Sequence, residues 1–321
     1  LKSHILSPSC VWRASPFITH MAKLLLTRPP RLTALLNVMN KLYPLHRAEG
    51  WDNVGLLLDT FKSDFGAKMN VLITNDLTER VVAEALREEA DVVVSYHPTP
   101  FRGLKKLTRD DVTARIVLTL ASKGVAIYSP HTACDAAAGG VNDWLIKAFA
   151  HQPAVAISPC TPPASEDEGG NKVGAGRVAE LLEPITLTQA VEAVKKHLGL
   201  QHVRVALAMA STMYCRWCAE AAEDLLATVT VSNVAVCAGS GGSVLSGVSA
   251  DLYLTGEMSH HEIIAANHAG TNVILTDHSN TERGYLPEMA EMLATGLTAE
   301  VGAETFKIKV TQLDSDPLLV V

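Results

Sequence analysis

Short apolar runs alternate with amphipathic segments along the chain from residue 70 onward. The apolar runs have the length of strands and occupy residues 70–76, 90–98, 124–131, 202–208, 231–239, 250–257 and 271–279. The segments between them predict helices at residues 78–89, 111–123, 140–149, 188–198, 259–268 and 286–293. Strands that alternate with helices predict an α/β fold with parallel or mixed sheets.

A further amphipathic helix is expected before the first strand, beginning near two consecutive prolines at 29 and 30 and ending before Pro44. Its apolar face consists of Leu32, Leu35, Leu36, Met39 and Leu42. Residues 158–176 are rich in Pro, Gly and acidic residues, which is typical of a linker. We therefore expect two linked α/β lobes, at residues 29–157 and 177–321, with a second irregular stretch at 211–226.

Composition and charge narrow the classes of function. The 321 residues can bury two cores, and no run approaches the roughly 18 apolar residues of a membrane helix. With 27 Lys and Arg against 34 Asp and Glu, the net charge of −7 argues against direct nucleic-acid binding and favours a small molecule or a protein as partner. Six scattered cysteines in a chain of this size fit a reducing, cytoplasmic compartment.

The first 48 residues differ from the rest because they carry seven Lys and Arg and no Asp or Glu. This composition is typical of a mitochondrial transit peptide. The alternative is that translation starts at Met21 and the preceding residues are an upstream extension. Residues 1–28 are expected to be a disordered or targeting extension in either case.

Several apolar runs finish on polar, potentially reactive residues. Ligands bind at the carboxyl ends of strands in open α/β sheets. In "TDHSNTERG", His278 and Glu282 are four residues apart, so a helical turn would put a nitrogen and a carboxylate on one face, as half of a metal site. The alternative is that Glu282 favours a helix N-terminus and His278 caps it.

Two other strand ends repeat this chemistry. His131 and Asp135 are again four residues apart in "SPHTACDAAAGG", although His131 could be a loop histidine and Asp135 a helix cap. His97 ends the run "VVVSYHP", where a single histidine can equally be structural. The repetition itself favours a site, because a core has no reason to collect His and carboxylate at one end of its sheets.

Three further motifs are weaker. "TGEMSHHE" offers Glu257, His260 and His261 at another strand end, where we expect contacts to substrate or to the ligating residues. The turn "CAGSGGSVLSG" could bind an anion through its backbone, at Gly241 and Gly242, or be an ordinary tight turn. "CRWC" at 215–218 matches C-x-x-C but lacks the second pair of a zinc ribbon, which favours coincidence.

Five motifs occur in the order found in one family: "WDNVGLLLD", "SYHPTPF", "HTACDAAAGGVND", "TGEMSHHE" and "HSNTERG". From about residue 31 to 321 the chain resembles the NIF-three-like dinuclear metal-centre proteins, whose bacterial members are often labelled GTP cyclohydrolase type-two-like. The resemblance implies a metal site in the cleft between two lobes, and assembly into homo-oligomers, either dimers or ring-shaped hexamers. It also implies two divalent ions, Zn, Mn or Fe, held by His97, Asp135, His278 and Glu282.

This chain departs from many bacterial relatives at one position that bears on the second ion. Many bacterial relatives have His-His-Pro where this chain has Tyr96, His97 and Pro98, and a phenol coordinates well only when it is deprotonated. The second metal is therefore expected to be weak or absent. Tyr96 and Asn53 are expected beside the ligands or in contact with substrate.

The resemblance implies two classes of function. The first is a metal-dependent hydrolase of a small, nucleotide-like substrate, with His131 or His261 moving a proton. The second is a protein-interaction factor in transcriptional co-repression, cytoplasmic and nuclear, whose metal site is structural or vestigial.

Overall fold

The computed structural model describes residues 27–160, 170–208 and 222–319. Within these ranges the chain forms twelve strands, ten of them in two principal sheets, and ten α-helices. The strands are β1 (Gly55–Leu58), β2 (Met69–Thr74), β3 (Val92–Ser95), β4 (Ala126–Ser129), β5 (Ser158–Pro159), β6 (Gly174–Ala175), β7 (Arg177–Thr186), β8 (Arg204–Ala206), β9 (Thr230–Ser240), β10 (Leu252–Glu257), β11 (Asn272–Leu275) and β12 (Phe306–Val310). The helices are α1 (Pro30–Leu42), α2 (Glu79–Arg87), α3 (Val112–Lys123), α4 (His131–Ala136), α5 (Val141–Ile146), α6 (Leu187–Leu198), α7 (Ala222–Thr228), α8 (Gly242–Leu245), α9 (His260–His268) and α10 (Leu286–Val301).

Both principal sheets are mixed, which confirms the predicted α/β class. The first has the order β1-β4-β3-β2-β12, and the second has the order β7-β9-β10-β11-β8. The central strands of each sheet run parallel, whereas β1, β7 and β8 are antiparallel edge strands. The carboxyl ends of the parallel strands therefore lie together at one edge of each sheet.

The sheets do not coincide with the two predicted segments of chain. β12 pairs in parallel with β2 and so returns residues 306–310 to the first sheet. The helix before it, α10, packs against α1 and runs to Val301, well beyond the predicted end at residue 293. The sequence did not predict β1, β7 or β12. In β7 buried residues alternate with exposed ones, and charged side chains interrupt the apolar run.

The two sheets share one hydrophobic core. Strand residues alternate between this core and an outer face, so that Val71 and Ile73 point inward while Leu72 packs against α2 and α3. The second sheet supplies Val236 and Leu254 to the same core. Because the core joins the sheets, it fixes the strand ends of one sheet relative to those of the other.

Helix starts follow the expected chemistry. Thr78 and Asp111 accept hydrogen bonds from backbone N–H groups in the first turns of α2 and α3. Thr186 and Ser259 form capping boxes at α6 and α9. None of the helices in the described ranges is long and apolar enough to cross a membrane.

Several sequence predictions lie outside the described residues. These are residues 1–26 of the N-terminal extension, residues 161–169 of the linker, and the C-x-x-C motif at 215–218. The two ends of the linker region pair as the short antiparallel ribbon of β5 and β6.

Candidate metal centre

Three side chains from the two sheets converge at the strand ends. His97, His278 and Glu282 each offer a ligand atom, and these atoms lie within 4.8 Å of one another. Nε2 of His97 is 3.5 Å from Glu282 Oε2, and Nε2 of His278 is 3.2 Å from Glu282 Oε1. Two imidazoles facing one carboxylate form a group that could hold a divalent metal ion.

The local chain path explains why these atoms meet. His97 follows β3, and Pro98 behind it prevents the strand from continuing directly into a helix. After β11 the backbone turns at Asp277, which has a positive φ of 66°. A short 3-10 turn at Ser279–Thr281 then brings His278 and Glu282 together, so their predicted contact is observed in a tighter turn than an α-helix.

A carboxylate lies behind each histidine. Nδ1 of His97 is 2.9 Å from Asp76 Oδ1, and Nδ1 of His278 is 3.0 Å from Glu257 Oε2. A carboxylate bonded to one ring nitrogen fixes the ring orientation and directs the other nitrogen to a metal. Glu257 was expected beside the ligands and is found there. Asp76 ends a predicted strand, but its sequence position did not reveal its contact with His97.

Hydrogen bonds and charges within the group shift the pKa values of all three side chains. Burial opposes ionisation of Glu282, which is 2% exposed, but hydrogen bonds with His278 and His97 lower its pKa to about 2. Burial also opposes the charge of His97, yet its hydrogen bonds to Asp76 and Glu282 raise its pKa to about 10. The hydrogen bond to Glu282 raises the pKa of His278 to about 9.

Space for an ion comes from a glycine that the sequence did not single out. Gly239 has φ +66°, and a Cβ built on it would lie 2.7 Å from Glu282 Oε1 and 2.9 Å from His278 Nε2. The absent side chain leaves open the volume beside two of the three ligand atoms. Asn75 Nδ2 donates to Glu282 Oε2 at 3.0 Å and orients that carboxylate. The residues present thus fit one metal ion, by both donor chemistry and room.

Asp135 lies beside this group but is bonded to Tyr96. The Tyr96 hydroxyl donates a hydrogen bond to Asp135 Oδ1. Burial raises the pKa of Tyr96 well above its ordinary value, so the phenol stays neutral. Burial also raises the pKa of Asp135 to about 6. Asp135 was expected as a metal ligand and Tyr96 beside the ligands, and the structure joins the two by a hydrogen bond.

His131 begins α4 and faces the same cleft. Its Nδ1 is 2.8 Å from Asp52 Oδ1, which leaves Nε2 as the other nitrogen for chemistry in the cleft. Its ring centroid is 5.3 Å from that of His97. His131 has a positive φ of 27°, an unusual backbone for a residue other than glycine that concentrates at functional sites.

These residues line a cavity of about 820 Å³. A volume of this size suits a small organic ligand or cofactor. The lining includes the three metal-capable residues, His131 and Asp135, together with side chains of residues 46–51 and the strand end at Cys237–Ser240.

Other predicted residues do not reach the metal group. Asn53 Nδ2 donates to the carbonyl of Pro100 and so joins two loops. His260 and His261 are exposed on α9, and His261 lines a second cavity of about 740 Å³ together with Gly242. Because β9 continues to Ser240, Gly241 and Gly242 fall at the next helix and face Thr255 and Glu262.

Comparison with known proteins agrees with this fold. Residues 30–317 match the family described as Duf34/NIF3 (NGG1p interacting factor 3). The chain is 39% identical over 291 residues to NIF3-like protein 1 of Drosophila melanogaster, covering 91% of this chain and 89% of that protein. It is 42% identical over 286 residues to the protein NIF3 homolog of Schizosaccharomyces pombe, covering 88% of this chain and 96% of that protein. Among solved structures, a Bacillus cereus protein related to NIF3 superposes with a TM-score of 0.74 at 21% identity, covering 90% of this chain and 98% of that one.

Proposed function

The chain belongs to the Duf34/NIF3 family, and from this premise and the geometry of its cleft we propose that it is a metal-dependent hydrolase of a small, nucleotide-like substrate. One observation carries the proposal: two imidazoles, each backed by a carboxylate, converge on the buried Glu282 at a cavity large enough for a substrate. A structural ion has no need of a cavity of this size.

In this proposal the ion is held by His97, His278 and Glu282. A divalent ion there supplies Lewis-acid polarisation of a scissile bond. Asp76 and Glu257 hold the two imidazoles in position through their Nδ1 atoms. A second ion would use Asp135, and it would have to compete with the hydrogen bond from Tyr96.

His131 is the residue we assign to proton transfer. Asp52 accepts from Nδ1, so Nε2 is the atom that would take or give a proton in the cleft. The pairing with Asp52 also keeps the ring from rotating. Asp135 also lines the cavity, and because burial raises its pKa to about 6 it could give or take a proton as well.

The test is turnover by metal-loaded protein on a panel of nucleotides, phosphoesters and pterin precursors. His131→Gln should reduce turnover at least ten-fold while metal content stays unchanged, and His97→Ala should lose both. His268→Ala, on the exposed end of α9, is the matched control and should resemble the wild type. If the metal-loaded protein turns over no member of the panel, the hydrolase proposal has no basis.

A second candidate follows from the description of the family, NGG1p interacting factor 3, which denotes a protein-interacting factor. In this alternative the chain acts in transcriptional co-repression through partner proteins, in cytoplasm and nucleus, as a dimer or hexamer. A pull-down with the correctly folded double variant His278→Ala, Glu282→Ala separates the two. Retained partners favour binding that is independent of the metal, whereas loss of every partner counts against it.

A further inference from the structure

Two large aromatic side chains stand exposed at the cavity that contains the metal group. Trp51 is 64% exposed and Phe101 is 47% exposed, and both line the cavity of about 820 Å³. A third exposed aromatic residue, Phe61, is 84% exposed and lies outside that lining. Water contact at an indole is unfavourable, so an exposed Trp inside a cavity wall is a feature that a bound ligand would explain.

The aromatic pair is joined to the candidate proton-transfer residue. The ring centroids of Trp51 and Phe101 are 6.1 Å apart, and they lie 6.1 Å and 6.0 Å from the ring of His131. Asp52, the neighbour of Trp51, bonds His131 Nδ1 and Thr132. The loop that presents Trp51 is thereby tied to the start of α4, and the indole is held at a fixed place relative to the metal group.

The ring orientations restrict how a ligand can bind. The planes of Trp51 and His131 are 79° apart, which is nearly perpendicular. A flat ring lying parallel to the Trp51 indole would therefore be nearly perpendicular to the imidazole, and it could not stack on both. The planes of Trp51 and Phe101 are 40° apart, so a ring stacked on the indole would meet Phe101 at a tilt. Stacking therefore falls to Trp51, with Phe101 as its tilted neighbour, and His131 is left to contact the ligand through hydrogen bonding.

The surroundings of the aromatic pair are polar. The same wall carries His46, Arg47 and Glu49. A heterocycle with nitrogen and oxygen atoms on its edge can form additional hydrogen bonds with these polar side chains, whereas a hydrocarbon ring cannot. Stacking with such a ring is favourable whatever its exact substitution, because every heteroaromatic ring has a π-face.

We propose that Trp51 and Phe101 form a subsite that stacks a planar heteroaromatic ring of the substrate. The inference deepens the proposed function, since it names the substrate class of the same cleft. The aromatic pair contacts His131, which in turn contacts His97. A ring seated in the subsite therefore presents a substituent, rather than the ring itself, to the His/His/Glu group.

The experiment measures binding rather than turnover. Adenosine and guanosine are titrated into the metal-loaded protein by calorimetry, with ribose 5-phosphate as a probe that lacks the ring. Trp51→Leu and Phe101→Leu should each weaken nucleoside binding by about ten-fold or more. Phe61→Leu removes an equally exposed ring outside the cavity lining and should leave nucleoside binding unchanged. Binding of ribose 5-phosphate should be the same in all variants.

A conservative variant separates stacking from folding. Trp51→Tyr keeps an aromatic face and should retain most of the nucleoside affinity, while its melting temperature and metal content match those of Trp51→Leu. If Trp51→Leu binds nucleosides like the wild type, or if neither nucleoside binds the wild type, the subsite is refuted. If Trp51→Leu dissociates an oligomer without changing nucleoside affinity, the aromatic pair is a protein interface and the inference is wrong.

These outcomes are distinct from failure of the hydrolase proposal. If nucleosides bind through Trp51 but no nucleotide is hydrolysed, the subsite stands and the hydrolase proposal is refuted. If Trp51→Leu leaves the rate of hydrolysis unchanged, the hydrolase proposal stands and the subsite is refuted.

Discussion

Gly239→Ala tests whether the space beside the ligand atoms is the space that a metal ion uses. The new methyl group would begin 2.7 Å from Glu282 Oε1 and 2.9 Å from His278 Nε2, whereas ordinary contact starts at 3.4 Å. Glu282 Oε1 must therefore withdraw by about 0.7 Å and His278 Nε2 by about 0.5 Å, unless the backbone moves. Metal sites tolerate distance changes of only about 0.2 Å.

Two costs follow from this substitution. Alanine in a left-handed conformation costs roughly 1–2 kcal/mol of folding free energy. Crowding of a tightly packed position adds about 1–3 kcal/mol. Loss of ligand geometry should weaken metal affinity by about ten-fold to 100-fold, the range seen when ligand orientation is disturbed.

Gly247→Ala is the matched control. Gly247 also has a positive φ, +77°, but a Cβ there would meet nothing within 4 Å. Gly247→Ala has the same cost of a left-handed alanine, but its Cβ collides with no ligand atom. The variant should therefore lose folding stability and keep its metal affinity. Affinity is measured by competition with a chromogenic chelator, and stability by urea unfolding of metal-free protein. Wild-type affinity in Gly239→Ala, or an equal loss in Gly247→Ala, would refute the assignment of this space to the ion.

Three further predictions concern groups that hold the site and the fold. Asp76→Asn should weaken metal affinity by about ten-fold to 100-fold with little change in melting temperature, because it removes the carboxylate behind His97. Arg177→Met should lower the free energy of unfolding in urea by about 3–5 kcal/mol, because the fully buried guanidinium pairs with Asp143 and bonds three backbone carbonyls. Burial opposes the Glu84 carboxylate, but hydrogen bonds from Thr311 and Lys309 lower its pKa. The Glu84 carboxylate therefore stabilises the fold fully above its unfolded pKa of about 4.3, and this contribution is lost as the pH falls. The difference in unfolding free energy between wild type and Glu84→Gln should accordingly shrink from pH 6 to pH 3, and a difference that grows would contradict this.

The sequence predicted the elements of the site better than their surroundings. The spacing of His278 and Glu282 indicated a shared face because contacts between residues four apart depend only on local chain geometry. The contact of His97 with Asp76 joins neighbouring strands, so it depends on the register of β2 against β3, which a single sequence does not specify.

The glycine-rich turn shows a second limit. Its composition marked close approach of the backbone, but the exact end of β9 decides which glycine faces the cleft. The strand continues to Ser240, so Gly239 lies at the metal group, while Gly241 faces Thr255 of β10 and Gly242 faces Glu262 of α9. The apolar run was predicted to end at residue 239, and the strand ends one residue later.

The C-terminal strand shows a third limit. "FKIKV" alternates apolar and charged residues and forms β12, yet its partner, β2, lies more than 230 residues earlier in the chain. The sequence analysis did not predict this strand, and local patterning gives no information on such a distant pairing. The tail beyond β12 then supplies Asp314, whose Oδ2 accepts from the backbone N–H of Asn75 behind the metal group.

Metal content per chain is the measurement that tests the central claim most directly. Elemental mass spectrometry is applied to protein purified without added metal and to correctly folded His97→Ala and His278→Ala variants. The account predicts at least one divalent ion per chain in the wild type and loss of that ion in both variants, because both rings face the same carboxylate. A wild type without metal, or variants that keep the full metal content, would contradict it.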